Sequence, residues 1–252
     1  MNDTYQDNEY FLTDNIRLLN NKMEYRENEN SKFKPISKRN WHILLEDYGW
    51  EKITKKWITQ LNKLSPWKER NSLYGVFDCE SDGNCFFHCI AHALNEKYLG
   101  TDTYYNSDDI RRMISDNLSE EQYDTIIEYY RIMKDADDFD ENWDPYSIHS
   151  IEEFKEKINV SGHEYWGDWI LLQVLVNSLQ VNIFILNSNS IENDYSVYNT
   201  LNDYNPNYGT IFLIYEDTCH FKLIGNFNGS RMISYFENNT LPIEFKKLYQ
   251  LN

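Results

Sequence analysis

A cysteine on a tight turn is the residue in this chain best placed to do chemistry. Cys85 follows the turn residues Asp82, Gly83 and Asn84, and the apolar residues 86–94 after it have the pattern of a buried helix. The first turn of a helix carries partial positive charge, which favours a thiolate over a thiol. Its unpaired backbone N–H groups can also hold an oxyanion. We therefore predict that Cys85 is a nucleophile; a buried core thiol is the alternative.

His220 is the candidate base. If residues 219–224 form a strand, His220 and Lys222 share one face, and Phe221 and Leu223 share the other. The apolar face would join the core and leave His220 on the side that can meet Cys85. An imidazole there stabilises the thiolate and later protonates the leaving amine. The alternative is a surface histidine with no role in catalysis.

Three motifs, in the same order along the chain, resemble those of the ovarian-tumour (OTU) family of cysteine proteases, which are deubiquitinases. Residues 82–87 (Asp-Gly-Asn-Cys-Phe-Phe) resemble the nucleophile motif of the family. Residues 165–175 are similar to its Trp-Gly motif and the helix that follows. Residues 220–224 resemble the strand that bears the catalytic histidine. Together the motifs extend the resemblance over roughly residues 73–224, so the first seventy residues lie outside it.

The resemblance implies an α+β fold with a papain-type cysteine protease core, in which helices flank a small β-sheet. It implies that the loop with Asp82 supports the oxyanion, together with the backbone of Gly83 and Asn84. It also implies that Trp166 and Gly167 line the approach to the active site. Without it, Asp82 would be an ordinary turn aspartate and Trp166 an ordinary core residue.

The third catalytic residue is not evident from the sequence. Many relatives place Asp or Asn two residues after the histidine, but here that residue is Lys222, which cannot accept a hydrogen bond from imidazole. Other relatives take a carboxylate from upstream of the nucleophile. We expect such an upstream acid, although two downstream asparagines and a dyad held by a backbone carbonyl remain alternatives. The candidate side chains are Asp78, Glu80, Asp47, Asp82, Asn226 and Asn228.

A zinc site is the competing interpretation of the cysteine-rich helix. Cys85, Cys89 and His92 are spaced to share one helix face, and zinc accepts such ligands. A structural site needs a further ligand pair, and the sequence has no second Cys-x-x-Cys or His-x-x-x-His pattern to supply it. We therefore predict that the protein uses neither a metal nor another cofactor.

Composition narrows the range of partners. The 252 residues carry a formal charge of −17, which disfavours a nucleic-acid-binding surface. The charge suits a protein partner with a basic segment, with solubility alone as the alternative. The resemblance implies ubiquitin or polyubiquitin, whose C-terminal tail is basic. No stretch reaches the roughly 18 apolar residues of a membrane span, and the first residues do not form a signal peptide. We expect a cytoplasmic protein, in the host-cell cytosol if the source is a virus or an intracellular pathogen.

The chain divides, on this interpretation, into an N-terminal extension (1–70) and an OTU-like catalytic domain (71–252). We expect the extension to be partly disordered, with one short amphipathic helix within residues 11–19, and then helical over 41–64. In the catalytic domain, alternating and continuous apolar runs predict strands. These runs cover residues 181–186, 210–215, 220–224 and 232–236.

The function that follows is that of a cysteine-dependent isopeptidase. It would hydrolyse the bond after the C-terminal glycine of ubiquitin or a ubiquitin-like modifier, through a thioester on Cys85 and with His220 as base and acid. The alternative is a catalytically weak member that binds ubiquitin as an interaction module, for which Lys222 is the only support.

Overall fold

The computed structural model describes most of the chain and has an α+β architecture. The residues described are 9–66, 73–80, 82–139, 141–190, 194–198, 203–216 and 220–251. The α-helices among them are α1 (Trp41–Leu44), α2 (Lys55–Leu64), α3 (Cys85–Lys97), α4 (Ser107–Asn117), α5 (Glu120–Asp135), α6 (Ile151–Ile158), α7 (Leu172–Leu179) and α8 (Ile243–Leu248). None of the described helices is both long and apolar enough to cross a membrane.

Two sheets contain the strands. A four-stranded antiparallel sheet consists of β1 (Glu9–Phe11), β2 (Ile16–Leu19), β3 (Lys22–Tyr25) and β4 (Lys34–Pro35). A seven-stranded sheet consists of β5 (Trp50–Lys52), β6 (Tyr74–Phe77), β7 (Val181–Ser188), β8 (Gly209–Glu216), β9 (His220–Phe227), β10 (Met232–Ile233) and β11 (Tyr235–Phe236). The strands predicted in the second half of the chain are therefore confirmed, except that the run over 232–236 splits into two short strands.

The larger sheet separates two apolar clusters, one on each face. Its main run places β5, β6, β9 and β8 side by side and antiparallel, and β7 lies parallel to β8. Phe221 and Leu223 of β9 pack with α3 and the helices around it. Ile224, next along β9, packs with α2 and α8 on the opposite face. The sheet is therefore covered on both sides, and its polar residues concentrate at the strand ends.

The short helix expected within residues 11–19 is wrong, because β1 and β2 cover most of this segment. Ile16 and Leu18 are buried, whereas Arg17 between them forms ion pairs with Glu9 and Glu24 on the neighbouring strands. This alternation has a period of two, which is that of a strand. Asn20 and Asn21 turn the chain into β3 with positive φ angles of 47° and 63°, which asparagine tolerates better than most residues.

Residues 41–64, which we expected to be helical, contain α1 and α2 but also a short strand between them. Gly49 adopts a φ of +90°, and the next residues form β5, which pairs with β6 at the edge of the larger sheet. Trp41 and Trp50 are buried in the same cluster as α3. The expected division of the chain at residue 70 falls within residues 67–72, outside the described residues, and stays a prediction.

Candidate active site

Cys85 is the first residue of α3, and buried aromatic residues fix that end of the helix. Phe86 and Phe87 are fully buried, and the Phe86 ring packs edge-on against Phe221 of β9 with ring centroids 5.2 Å apart. Since Phe221 follows His220 directly, this contact brings the start of β9 next to the start of α3.

The turn before Cys85 is held by the side chain of Asp82. One carboxylate oxygen accepts from the Asn84 backbone N–H at 2.9 Å, and the other lies 3.0 Å from Asn84 Nδ2 and 3.2 Å from His88 Nε2. Partial burial acts to raise the pKa of Asp82, but the bonds from Asn84 and His88 outweigh it and lower the pKa to about 2.

Gly83 gives the turn its shape. Its φ is +84°, and a Cβ atom at this position would lie 2.4 Å from the carbonyl oxygen of Gly162. A side chain would therefore cost both backbone strain and a clash with a neighbouring loop. The loop shape predicted for these residues depends on glycine here.

A fully buried arginine, Arg111, supports the same turn, and the sequence did not indicate it as a site residue. Arg111 of α4 donates two hydrogen bonds to the side-chain oxygen of Asn84, at 3.0 and 2.7 Å. It also donates to the carbonyl oxygens of Ile158 and Tyr165, and its guanidinium lies over the Phe87 ring at 3.9 Å. Burial lowers the pKa of Arg111 to about 10, so it stays charged at neutral pH.

Sequence signals for Arg111 were present but indirect. It lies inside the buried stripe of α4, beside Ile110 and one turn before Ile114 and Ser115. A lone arginine in an apolar stripe must find acceptors inside the protein. Sequence periodicity shows such a residue, but it does not show which loop supplies the acceptors.

The Cys85 thiol is mostly surrounded by protein, which opposes the effect expected from the helix N-terminus. Burial raises the pKa of Cys85 to about 11, although backbone hydrogen bonds at Phe221 and Phe86 oppose the rise. Desolvation therefore exceeds the favourable field of the helix N-terminus. Two further thiols lie behind it, since Cys79 and Cys89 are 3.9 Å apart and both approach the carbonyl oxygen of Phe221.

His220 begins β9 and forms a short contact with Asp78, the residue after β6. Nε2 of His220 lies 3.0 Å from Oδ1 of Asp78. The sheet register explains this contact, because Phe77 pairs with Leu223 and the next residue, Asp78, therefore comes opposite Lys222. His220, two residues from Lys222 on the same face, is the diagonal neighbour of Asp78.

His220 does not reach the Cys85 side of the sheet in the way expected from the sequence. Helix α3 packs on the face of β9 that carries Phe221 and Leu223, so His220 is on the opposite face from the helix. Both residues line one cavity at the end of the strand instead.

The remaining candidates for the third residue are not in contact with His220. Asn226 lies six residues further along β9, about 20 Å away in an extended strand. Asn228 accepts hydrogen bonds from the backbone of Ser230 and Arg231 in a turn beyond the strand. Asp47 and Glu80 are exposed. Within the described residues, Asp78 is the candidate that the fold brings to His220.

The cavity next to Cys85 has a volume of about 350 Å³ and is lined by aromatic and acidic residues. Trp166 and Gly167 form part of its wall. A Cβ atom on Gly167 would lie 2.4 Å from the Phe86 ring, which explains the glycine. Glu141 and Asp168 also line this cavity, and neither was predicted as a site residue from the sequence.

Glu141 and Asp168 hold their protons more tightly than ordinary carboxyl groups. Burial, followed by the nearby charge of Asp168, raises the pKa of Glu141 to about 8. Glu141 accepts hydrogen bonds from the Trp143 indole at 2.6 Å and from the Trp166 backbone at 3.1 Å, which limit the rise. Burial raises the pKa of Asp168 to about 7.

The residues weighed as zinc ligands have other surroundings here. His92 stacks on Phe77 with ring centroids 3.9 Å apart, and Cys89 is buried against Phe221. Across the part of the chain that the structure describes, no group of three His, Cys, Asp or Glu side chains is placed to hold a metal ion. Cys219 lies outside the described residues.

A thiol at a helix N-terminus, beside a strand that presents a histidine paired with a carboxylate, is the arrangement of a papain-type cysteine protease. The family model described as OTU-like cysteine protease matches residues 80–221, more than half of the chain. The chain therefore belongs to the family of OTU-like cysteine proteases, and its resemblance to that family is confirmed.

Solved structures with a similar chain course are OTU domains. One is an OTU domain in complex with ubiquitin, with 16% identity, a TM-score of 0.43, and coverage of 70% of this chain and 81% of that one. An OTU deubiquitinase from Wolbachia pipientis wMel bound to ubiquitin has 15% identity, a TM-score of 0.42, and coverage of 64% and 100%. The viral OTU protease from Farallon virus has 20% identity, a TM-score of 0.38, and coverage of 62% and 85%.

These similarities are low, and the family assignment rests on the matched residues 80–221. A comparison with curated proteins found no significant match.

Proposed function

We propose that the protein is a cysteine-dependent deubiquitinase. It hydrolyses the isopeptide bond after the C-terminal glycine of ubiquitin or of a ubiquitin-like modifier. The observation that carries this proposal is the 3.0 Å contact of Asp78 with His220, which lines the same cavity as Cys85. The family of OTU-like cysteine proteases supplies the reaction class, and solved OTU domains have been captured with ubiquitin.

In the first step, the Cys85 sulfur attacks the carbonyl carbon of the glycine. Because burial keeps this sulfur protonated at neutral pH, its proton passes to His220 as the attack proceeds. Nε2 of His220 faces Asp78, so the other ring nitrogen, Nδ1, is the one that takes this proton. Asp78 fixes the ring orientation and stabilises the imidazolium.

In the second step, the tetrahedral intermediate collapses. His220 gives its proton to the departing lysine amine, and the glycine carbonyl remains bound to Cys85 as a thioester. Water, deprotonated by His220, then attacks the thioester and releases the free carboxylate and the thiol.

The oxyanion is stabilised by backbone N–H groups at the start of α3. The Asn84 N–H donates to Asp82, so it is already engaged. We assign the role to the N–H groups of Gly83 and Cys85, which the Asp82 and Arg111 contacts hold in place. Asp82 on this proposal shapes the loop and does not touch the substrate.

The acidic cavity suits a basic peptide. Glu141 and Asp168 line it next to Cys85, and the chain as a whole carries a charge of −17. The resemblance to OTU enzymes implies that the arginine-bearing tail of ubiquitin enters this cavity. An arginine bound there would favour the ionised forms of both carboxyl groups and lower their pKa values.

The cell compartment proposed for this activity is the cytosol. Cys85 must be a reduced thiol to act as the proposed nucleophile, and thiols stay reduced in the cytosol.

A ubiquitin probe with an electrophilic C-terminus tests the proposal. The wild-type protein should form a covalent adduct at Cys85, located by peptide mass spectrometry, and Cys85→Ala should form none. Binding of the probe without an adduct would favour the alternative of a ubiquitin-binding module. The contact of Asp78 with His220 weighs against that alternative, because it supplies the acceptor that Lys222 cannot.

A further inference from the structure

Lys222 occupies an unusual place beside the proposed active site. Its ammonium nitrogen lies 2.8 Å from Glu51, 3.1 Å from Glu216 and 3.4 Å from Oδ2 of Asp78. The Lys222 side chain is only 13% exposed. Burial acts to lower its pKa, but the three carboxylates outweigh this and raise the pKa above the ordinary value, so Lys222 is charged.

Two of the three carboxylates come from the strands next to β9, and the third comes from β5, which lies beyond β6. Glu51 is in β5, Asp78 follows β6, and Glu216 ends β8, where it pairs with His220. Lys222 thus joins both sides of β9 at the point where the strand presents His220. Glu51 belongs to the N-terminal part of the chain, outside the residues matched to the family.

The two carboxylate oxygens of Asp78 face different partners. Oδ1 faces Nε2 of His220 at 3.0 Å, and Oδ2 faces Nζ of Lys222 at 3.4 Å. The Asp78 side chain is about half exposed, at 49%, and it lies just beyond the end of β6. A carboxylate in such a position has several rotamers open to it unless a contact selects one.

We propose that Lys222 is a positioning residue, which holds Asp78 in the rotamer that orients His220. The inference rests on the proposed function, since it assigns Lys222 a part in the same site. Lys222 replaces the hydrogen-bond acceptor that many relatives carry at this position, and it acts by fixing an acceptor from the neighbouring strand. Glu51 and Glu216 anchor the ammonium group so that it stays beside Asp78.

A purely electrostatic role predicts the opposite sign. A positive charge near His220 disfavours the imidazolium, so its loss would make His220 a stronger base. The groups that set this balance are Glu51, Asp78, Glu216 and Lys222 itself. If Lys222 positions Asp78, its loss lowers the alkylation rate of Cys85 between pH 6 and 10. A purely electrostatic role raises this rate instead, because His220 then takes the proton of Cys85 more readily.

The experiment measures alkylation of Cys85 by iodoacetamide between pH 6 and 10, with the modified peptide quantified by mass spectrometry. This readout needs no ubiquitin. We expect Lys222→Met to lower the alkylation rate at each pH roughly tenfold, and Asp78→Ala to lower it further. In the Asp78→Ala background, Lys222→Met should have no further effect, because its action passes through Asp78.

Two matched variants complete the design. Lys222→Arg keeps the charge and the contacts with carboxylates, so it should retain most of the rate and guards against a misfolded Lys222→Met. Lys247→Met removes an equal charge from an ammonium group that donates to the Leu64 carbonyl oxygen, away from β9, and should change nothing.

An unchanged or faster alkylation rate in Lys222→Met, or an equal loss with and without Asp78, would overturn the positioning role. A failure of the proposed function gives a different result, because His220→Ala would then leave alkylation of Cys85 at the wild-type rate.

Discussion

Oδ1 of Asp78 lies 3.0 Å from Nε2 of His220, although 142 residues separate them in sequence. The contact depends on the antiparallel pairing of β6 with β9, which continues by one residue to set Asp78 opposite Lys222. A shift of one residue in this register would turn Asp78 to the other face of the sheet. The orientation of the proposed base is therefore a property of strand pairing.

Replacing Asp78 by alanine should cost about a hundredfold in kcat, by analogy with the aspartate of other triads. Without the carboxylate, the His220 ring loses the partner that selects its orientation. Hydrolysis of one di-ubiquitin substrate measures the effect. The kcat of Asp78→Asn should lie between those of the wild type and Asp78→Ala, because the amide oxygen still accepts a hydrogen bond but carries no charge.

The alanine variants of the other candidates are the controls for this experiment. Asp47 and Glu80 are exposed, and Asn226 and Asn228 lie far along β9 or beyond it. Each should keep activity within about threefold, in keeping with surface changes of up to 0.5 kcal/mol. A larger loss in any of them, together with full activity in Asp78→Ala, would contradict the assignment.

Cys85→Ala and His220→Ala should both abolish turnover, and their effects should not add. Sulfur and imidazole act as a unit, so removing the second group after the first should cause little further loss of kcat. The measurement is kcat for both single variants and the double variant, with circular dichroism to verify folding. Additive losses would mean that the two residues act independently.

Arg111→Met should destabilise the fold by about 3 kcal/mol, because buried acceptors on three residues lose their donor. The turn at Gly83 and Asn84 loosens as a result, so kcat should fall as well. Urea unfolding gives the free energy of unfolding.

Its neighbour Arg112 is the matched control, since it is 63% exposed and pairs with Asp109 at 3.5 Å. Arg112→Met should change stability by no more than about 0.5 kcal/mol. Similar losses of stability for the two arginines would show that the buried network around Asn84 stabilises the fold no more than a surface ion pair does.

Glu141→Gln should stabilise the protein at alkaline pH. The pKa of Glu141 rises from 4.5 to about 8 in the folded state, so the unfolded chain releases this proton first as the pH increases. Ionisation therefore favours unfolding between about pH 4.5 and pH 8. Glutamine does not ionise, and its amide oxygen can still accept from Trp143 and Trp166.

Thermal melting at a series of pH values tests this sign. The Tm advantage of Glu141→Gln should be small near pH 5 and should grow toward pH 8. Glu164→Gln, which changes a carboxylate that is 69% exposed, serves as the comparison and should show no such trend. A constant difference at all pH values would point to packing instead of ionisation.

The sequence was most informative where one interaction dominates. Strands β7, β8 and β9 were predicted to within about three residues, because their apolar runs are long enough to require burial on both sides. The cysteine motif located the start of α3, since a glycine-containing turn followed by an apolar helix has few other arrangements.

The N-terminal region was harder to predict because short strands resemble irregular helices in sequence. Residues 16–19 contain only two buried positions, too few to separate a period of two from one of 3.6. The sequence indicated Cys85 and His220 as candidate site residues, but it did not indicate the contacts of Arg111 or Lys222. Their roles depend on which loops and strands meet across the fold, and a single sequence does not contain that pairing.

The edge position of β5 sets a lower limit on the length of any usable fragment. A fragment that began at residue 71 would leave β6 without a neighbour on one side and would expose its backbone N–H and C=O groups. It would also remove Trp41 and Trp50 from the cluster around α3. We expect such a fragment to aggregate during expression. A fragment for expression should therefore include β5 as well as the residues that carry the family motifs.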